Sequence, residues 1–444
     1  MQHILEEISS LAPSTKLALA TATATSVGYL AYNHLSRSSQ SSISSLRGPP
    51  SSSLISGNLF LIFDPDINQL EQWLKDYGNV FAMPALFGAK GIYLADPKAV
   101  AYVTTRFTAF PKPAALNFAI MRLTGPGLVA AEGDVHKQQR RILQPSFSPP
   151  QIKQLTPVFV TKTHQLESIW RSQCSGEPTT INVLQWLDHL TLDIIGETAL
   201  GYDFDSLHGS SNELAQAFDD LLGETTMADP LNFIAGIFPL AGKLPLKRNQ
   251  VTANALAVLQ KVGQELVNSK RKELESLPDG GADELLGDDL LSVLLRSNMK
   301  ETISQMMSDE EVIAQIATFV IAGHDTTSSS TAWTLYALAK NPGIQRKLQE
   351  ELLAFPHDSP TLDDLNNMPY LDWVIKESLR RHPGAHAMQR TPAKDEIIPL
   401  SEPVIDKHGR EIKEILLKAG DTIFVSMAAF NWSTKYWGPD AHEF

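Results

Sequence analysis

The residues with the most chemistry to offer lie in one stretch, Ser308 to Pro342, which reads SDEEVIAQIATFVIAGHDTTSSSTAWTLYALAKNP. At its centre a carboxylic acid, Asp325, stands beside a hydroxyl, Thr326. Such a pair can pass a proton to a reacting group held against it. An acid buried at this point is expensive, and groups placed at such cost point to function. The competing reading is a core helix with a polar kink satisfied by water. The element that must carry the pair is a helix. Ser308 and Glu311 form an S-x-x-E capping box at its start. Asn341-Pro342 closes it, with Lys340 in the last turn. Unbroken, it would run for ~48 Å at ~1.5 Å per residue. Its middle breaks helix rules. Gly323 costs about 1 kcal/mol relative to alanine in a helix interior. Six consecutive hydroxyl residues, Thr326 to Thr331, follow. Their side chains can bond the carbonyl four residues back and bend or open the helix. The apolar run is shorter than the ~18 residues a membrane span requires. Gln315, His324 and Asp325 interrupt it.

Two further groups have chemical spacing. Glu377 and Arg380 lie three apart in a predicted helix, Tyr370 to Arg381, which His382-Pro383-Gly384 stops. They can pair, and on spacing alone a solvated ion pair worth little is the plainer reading. His136 and Arg140 are four apart in the segment Glu132 to Arg141 and project together. They could clasp an anion; a basic, solvent-facing helix is the alternative. A metal hydrolase using His324 and Asp325 is a remote third possibility, since no H-x-x-x-H or comparable set accompanies them.

The 444 residues suffice for one large or two to three ordinary domains, with ordinary apolar content. A net charge of -13 argues against nucleic acid as a partner. The single cysteine, Cys174, excludes a disulfide framework and fits a reducing, cytosol-facing body. Near the start, residues 17–32 form an apolar stretch that reads as a membrane anchor, with acids before it and arginines after it. No basic region precedes it, as a cleaved signal would require. A Ser-rich tether, Ser36 to Ser45, leads to Arg47-Gly48-Pro49-Pro50. The expected division is an anchor over 1–35, a hinge over 36–57 and a body over 58–444. The body is expected to be mainly α with small β-sheets. Asn68 to Tyr77, Thr156 to Ser172 and Trp186 to Leu200 read as helices. Val80 to Leu94 reads as two strands around a Gly-rich turn, and further β structure is expected near Glu411 to Phe430. Residues 228–246 form an apolar, proline-broken connection, either dipping into a bilayer surface or buried. Pro278 to Asp289 is an acidic surface loop.

Taken in order, the motifs give the chain a resemblance to the cytochrome P450 family, the haem-thiolate monooxygenases. Ala322-Gly323-His324-Asp325-Thr326-Thr327 is similar to the family's A-G-x-D/E-T-T/S. Lys376-Glu377-Ser378-Leu379-Arg380 is similar to its E-x-x-R, followed by His382-Pro383. Arg390 with Asp395 resembles its R-x-x-x-x-D. Tyr436-Trp437-Gly438-Pro439-Asp440-Ala441-His442-Glu443-Phe444 resembles the run before its haem-binding loop. The resemblance covers essentially the whole chain.

It implies the cytochrome P450 fold, incomplete at the C-terminus, and oxidation of a small, apolar substrate with O2. The implied cofactor is haem, with reducing equivalents from NADPH through a flavoprotein reductase. Asp325 and Thr326 would relay protons to iron-bound dioxygen. Ala322 and Gly323 would leave room for oxygen over the haem. His136, Arg140 and Arg390 would clamp the haem propionates. The family usually has Trp where His136 stands, and imidazole can still donate a hydrogen bond to a carboxylate. Glu377 and Arg380 would be a buried structural pair under the haem, worth ~3–5 kcal/mol if one partner were lost. Lys137, Arg140 and Arg141 would lie on the helix facing the reductase. The implied location is the endoplasmic reticulum membrane, with the body facing the cytosol. The family's ligand cysteine lies in a loop, F-x-x-G-x-R-x-C-x-G, absent before Phe444. Cys174, in a surface turn, cannot replace it. Two explanations follow: a fragment of an ordinary monooxygenase, favoured by the stop within a motif, or a short product that is a catalytically inactive relic or haem-free binding protein.

Overall fold

The computed structural model describes residues 41–54, 56–59, 61, 67–85, 88–176, 179–224, 247–276, 289–302 and 305–444. The stretch 17–32, the connection 228–246 and the acidic loop up to residue 288 lie outside the described residues. The chain divides into two compact units, one drawn from residues 1–119, 226–250 and 385–443, the other from 120–225 and 251–384 with residue 444.

The first unit is built on a four-stranded sheet. Helix α1 (Ile67–Tyr77) leads into β1 (Val80–Pro84) and β2 (Lys90–Leu94), with α2 (Pro97–Thr105) next. Later come β3 (Ala387–Arg390), β4 (Glu396–Ile405), β5 (Glu411–Leu417) and β6 (Ile423–Ser426). The order is β1-β2-β6-β3, while β4 and β5 form a separate antiparallel pair. Strand β6 runs parallel to β2, with Ile92 opposite Ile423, and antiparallel to β3, with Arg390 opposite Ile423. Both faces of β6 are buried, so its sequence IFVS is apolar without alternation. Phe81 stacks on Tyr93 at 4.7 Å, in a cluster with Trp73 and Phe424. Asp406 turns β4 into β5 by accepting from His408 N, Arg410 N and Arg410 Nε at 2.8 to 2.9 Å. Burial works against the charged form there, yet hydrogen bonds from Arg410 and His408 hold its carboxyl down at about 2.

The described end of the Ser-rich segment departs from the expected tether. Ser42–Ser45 forms a 3-10 turn, with Ile43 buried. Ser41 Oγ donates to Asp421 at 2.6 Å, and Ser42 Oγ accepts from Leu416 N at 3.1 Å. Serine hydroxyls satisfy backbone and carboxylate groups of the sheet here, so composition suggesting a flexible linker instead supplies docking bonds. Gly48 follows at a close approach: a Cβ there would sit 1.9 Å from the Ala82 carbonyl oxygen.

The second unit is helical. Its elements are the end of α3 (Ala114–Thr124, from Ile120), then α4 (Gly133–Leu143), α5 (Pro149–Gln173), α6 (Val183–Ile195), α7 (Glu213–Glu224), α8 (Lys247–Glu275, from Val251) and α9 (Leu290–Met299). Then come α10 (Asp309–Gly323), α11 (Asp325–Lys340), α12 (Pro342–Leu353) and α13 (Pro369–Arg381). Helix α5 begins earlier than the predicted Thr156, because Pro149 and Pro150 suit a first turn. Helix α6 ends in a π-helical turn, Gly196–Leu200. Helix α10 is central: every residue from Val312 to Val320 is buried, the pattern of a helix enclosed on all sides. Phe204, Phe218, Leu294, Ile316 and Val320 share one core cluster around it.

Candidate functional site

The capping box forms: Ser308 Oγ accepts from Glu311 N at 3.2 Å, and Glu311 Oε2 accepts from Ser308 N at 2.9 Å. The helix it opens does not run through to Lys340. It stops at Gly323, and α11 starts at Asp325. His324 is the joint, at φ -77° and ψ -74°. Thr326 Oγ1 donates to the Ala322 carbonyl at 2.6 Å across that joint. Thr331 and Thr334 make the same bond, four residues back, further along α11.

The acid at this joint is not buried, contrary to the sequence expectation. Asp325, Thr326 and Ala322 are all exposed, whereas His324 is 7% exposed and Ser328 is fully buried. Helical spacing explains the exchange. Residues 324 and 328 share the face that packs inward, and 322, 325 and 326 share the outward one. Gly323 also departs from its expected place. A Cβ on it would meet Ile195 Cδ1 of α6 at 2.7 Å. Its missing side chain therefore lets α6 approach the joint.

The sequence missed His324 as a buried group. Its Nδ1 lies 3.0 Å from Thr191 Oγ1 of α6. Its ring lines a cavity of about 800 Å³ with Asp188, His189 and Asp219. Burial holds the imidazole below its ordinary pKa and raises the Asp219 carboxyl above its own. Among the described residues no group of three or more His, Cys, Asp or Glu could hold a metal ion, so the hydrolase reading gains no ligands.

Helix α4 is fixed to α10 through Gln139, which is fully buried. Its Nε2 donates to the Pro126 carbonyl and to Glu311 Oε1, each at 2.9 Å. Its Oε1 accepts from Gln315 Nε2 at 3.2 Å. This bond network sets the pose of His136, half-buried, and Arg140, exposed. Lys137 and Arg141 on the same helix pair with Asp134 and Glu301 at 2.9 and 2.8 Å. On α13, Arg380 donates from Nε and Nη2 to the two oxygens of Glu377 at 2.7 and 2.6 Å. Thr334 and Ser378 bond at 2.6 Å, and Trp333 stacks on His382 at 4.4 Å, which ties α11 to α13. Arg390 belongs to the first unit, at the end of β3, where its Nη1 donates to the Gln389 carbonyl at 2.7 Å. Asp395 binds Lys418 Nζ at 2.7 Å and accepts from Ala419 N at 3.1 Å.

Residues 47–444 match the sequence profile of the cytochrome P450 family. The chain belongs to that family. It is 38% identical over 420 residues to cytochrome P450 monooxygenase 205 of Postia placenta, covering 91% of this chain and 76% of that protein. It is 37% identical to cytochrome P450 monooxygenase 128 of the same organism, covering 90% and 75%. Cytochrome P450 monooxygenase claP of Ampulloclitocybe clavipes is 34% identical over 408 residues, again 90% and 75%. The mainly helical fold with small sheets is that of a P450, and the family is one of haem-dependent monooxygenases. The residues present answer to haem in part. Ala322, Asp325 and Thr326 form an accessible face with a small residue beside an acid and a hydroxyl, as the oxygen side needs. The iron side needs a thiolate. Cys174 is the only cysteine of the 444 residues, and it is exposed at the C-terminal cap of α5. A thiol so open to solvent does not fit as the buried ligand of a porphyrin iron.

Proposed function

We propose that this P450, in its full-length form, oxidises a small, apolar organic substrate with O2, using electrons that originate in NADPH and arrive through a flavoprotein reductase. The observation that carries the reading is the broken joint at His324, with Asp325, Thr326 and Ala322 on one accessible face. Haem, when bound, supplies the iron at which dioxygen is activated. Asp325, open to solvent, takes up a proton and presents it beside the Thr326 hydroxyl. The 2.6 Å bond to the Ala322 carbonyl pins that hydroxyl and leaves its lone pairs available. Ala322 keeps the face low; Gly323 serves the packing of α6 instead.

His136 and Arg140 of α4 would hold carboxylates of the cofactor, Arg140 by its charged fork. Arg390 is assigned the same duty on its motif alone. Glu377 and Arg380 are structural. Lys137 and Arg141 of α4, proposed to face the reductase, pair with Asp134 and Glu301 in the free protein. Membrane attachment at the endoplasmic reticulum rests on the apolar pattern of residues 17–32. No helix among the described residues is long and apolar enough to cross a membrane. The second reading, a catalytically inactive relic or haem-free binding protein, is separated from the first by the same experiment.

The test is the spectrum of the purified protein produced with haem available. In the full-length form, with a ligand cysteine that Cys174 does not supply, a carbon-monoxide difference band of thiolate-ligated haem, with ¹⁸O from labelled dioxygen entering a substrate at the expense of NADPH, is expected. Asp325→Asn and Thr326→Ala should each lower product formation on the order of 10²-fold. No such band and no incorporated label would leave the binding-protein reading standing. Membrane attachment is checked by whether the protein sediments with membranes and is released by detergent.

A further inference from the structure

The cavity that His324 lines is bounded by one face from each of three helices. Asp188 and Leu192 are four apart on α6, Glu213 and Asp220 two turns apart on α7, and Asn254 and Val258 four apart on α8. Its volume of about 800 Å³ falls in the ~300–1,000 Å³ usual for small-molecule sites. Its charge is one-sided: Asp188, Glu213, Asp219 and Asp220 line it, and no lysine or arginine does. Two of these carboxylates are engaged. Glu213 pairs with Lys261 Nζ at 3.3 Å, and Asp220 Oδ1 accepts from Gln216 Nε2 at 3.0 Å. Among the described residues, no hydrogen bond or ion pair reaches the carboxylates of Asp188 and Asp219.

An acidic lining alone is no more than a solvated patch; His324 makes it a site. The residue is 7% exposed, and its Nε2 has no hydrogen-bond partner among the described residues. Burial favours the neutral ring, and Thr191 fixes which of its nitrogens carries the proton. Thr191 has one hydroxyl hydrogen, and its Oγ1 lies 2.9 Å from the Leu187 carbonyl and 3.2 Å from that of Asp188. Carbonyls only accept, so that hydrogen is committed to them. The 3.0 Å contact to His324 Nδ1 then requires Nδ1–H to donate to Thr191 Oγ1. Nε2 is left as a bare acceptor on the cavity wall. The charges of Asp188 and Asp219 both act on this ring, so the two free carboxylates and the bare nitrogen serve one space. A buried acceptor without a donor is costly, and these three groups together call for a ligand that brings N–H hydrogens and positive charge. A metal ion does not answer, since no group of three or more His, Cys, Asp or Glu among the described residues could hold one.

We propose that this cavity binds an organic ammonium ion, a small primary amine or diamine, held by the Asp188 and Asp219 carboxylates and by one N–H donated to His324 Nε2. A primary ammonium carries three hydrogens, one for each of these acceptors. Its bonds to the carboxylates are charge-assisted on both sides. The hydrocarbon stem lies against Leu192, Ala255 and Val258, the apolar part of the lining. A second ammonium group, in a diamine, meets the carboxylates of Glu213 and Asp220. The inference requires neither haem nor the proposed function.

Two arms test it, both on the full chain at constant ionic strength with 1,4-diaminobutane as the probe. The first uses ¹⁵N-histidine-labelled protein, with the His324 signals assigned by their loss in His324→Gln. The diamine should produce a saturable shift of the bare Nε2 resonance. The uncharged 1,4-butanediol and magnesium chloride should not. The second arm measures diamine affinity by calorimetry. Asp188→Asn and Asp219→Asn should each weaken it by about tenfold, the loss of one charge-assisted bond. Circular dichroism checks that each variant is folded, and a variant that is not leaves the first arm to decide. An Nε2 resonance that does not move, or that moves equally with the diol or with magnesium, overturns the proposal. So does undiminished affinity in either folded asparagine variant.

Discussion

Replacing Gln139 by leucine should destabilise the helical unit by about 3 kcal/mol. The side chain is fully buried and makes three hydrogen bonds. The bond to the Pro126 carbonyl is neutral and contributes ~1 kcal/mol; the one to Glu311 is charge-assisted and contributes ~1.5–3 kcal/mol. The longer bond from Gln315 adds ~1 kcal/mol or less, since Gln315 keeps its own bond to the Glu311 carbonyl at 3.1 Å. Leucine returns ~1–2 kcal/mol through apolar burial. Urea denaturation followed by circular dichroism should show a lower midpoint with an unchanged slope. Gln139→Glu should be worse at neutral pH, because it sets a second carboxylate against Glu311 at about the 2.9 Å of the present bond. Its stability should recover as pH falls through the carboxylate range. A loss below ~1 kcal/mol for Gln139→Leu would refute the reasoning. So would strict additivity with Gln315→Leu, because partners in one network couple by ~0.5–3 kcal/mol.

Five further outcomes are expected. Gly48→Ala drives a Cβ to 1.9 Å from a backbone oxygen that cannot rotate away; a cost of ~1–3 kcal/mol should appear as a lower melting temperature. Arg380→Ala leaves Glu377 without its bidentate partner, and because Glu377 is one-third exposed the loss should lie near the lower end of ~3–5 kcal/mol, read from the same melts. Gly323→Ala should be close to neutral, since the atom it meets is the flexible end of Ile195 and alanine returns ~1 kcal/mol of helix propensity; Gly323→Val should be clearly destabilising. Burial keeps the folded His324 pKa below its unfolded value, so its contribution is full above about pH 6.5 and is lost as pH falls from there through the folded value. Asp219 acts in the opposite sense: its raised carboxyl costs stability at neutral pH, and Asp219→Asn should raise the urea midpoint there.

Much of the architecture was legible because its signals are local. The capping box at Ser308, the stop at Asn341-Pro342 and the helix ending at Arg381 each depend on a few neighbouring residues, and each formed where the pattern put it. So did the bond from Thr326 to the carbonyl four residues back, and the pairing of Glu377 with Arg380 one turn apart. The ordered motifs sufficed for the family. Burial was not local. Asp325 and His324 are adjacent, and which of them faces inward depends on the break at the joint and on α6 arriving against Gly323. A one-residue change of phase on a helix turns a side chain through about 100°, enough to exchange a solvent-facing acid for a buried imidazole. Gln139 was invisible for the same reason: its three partners lie 13, 172 and 176 residues away. A polar side chain acquires a structural duty only when packing removes it from water, and that packing is decided by the tertiary fold.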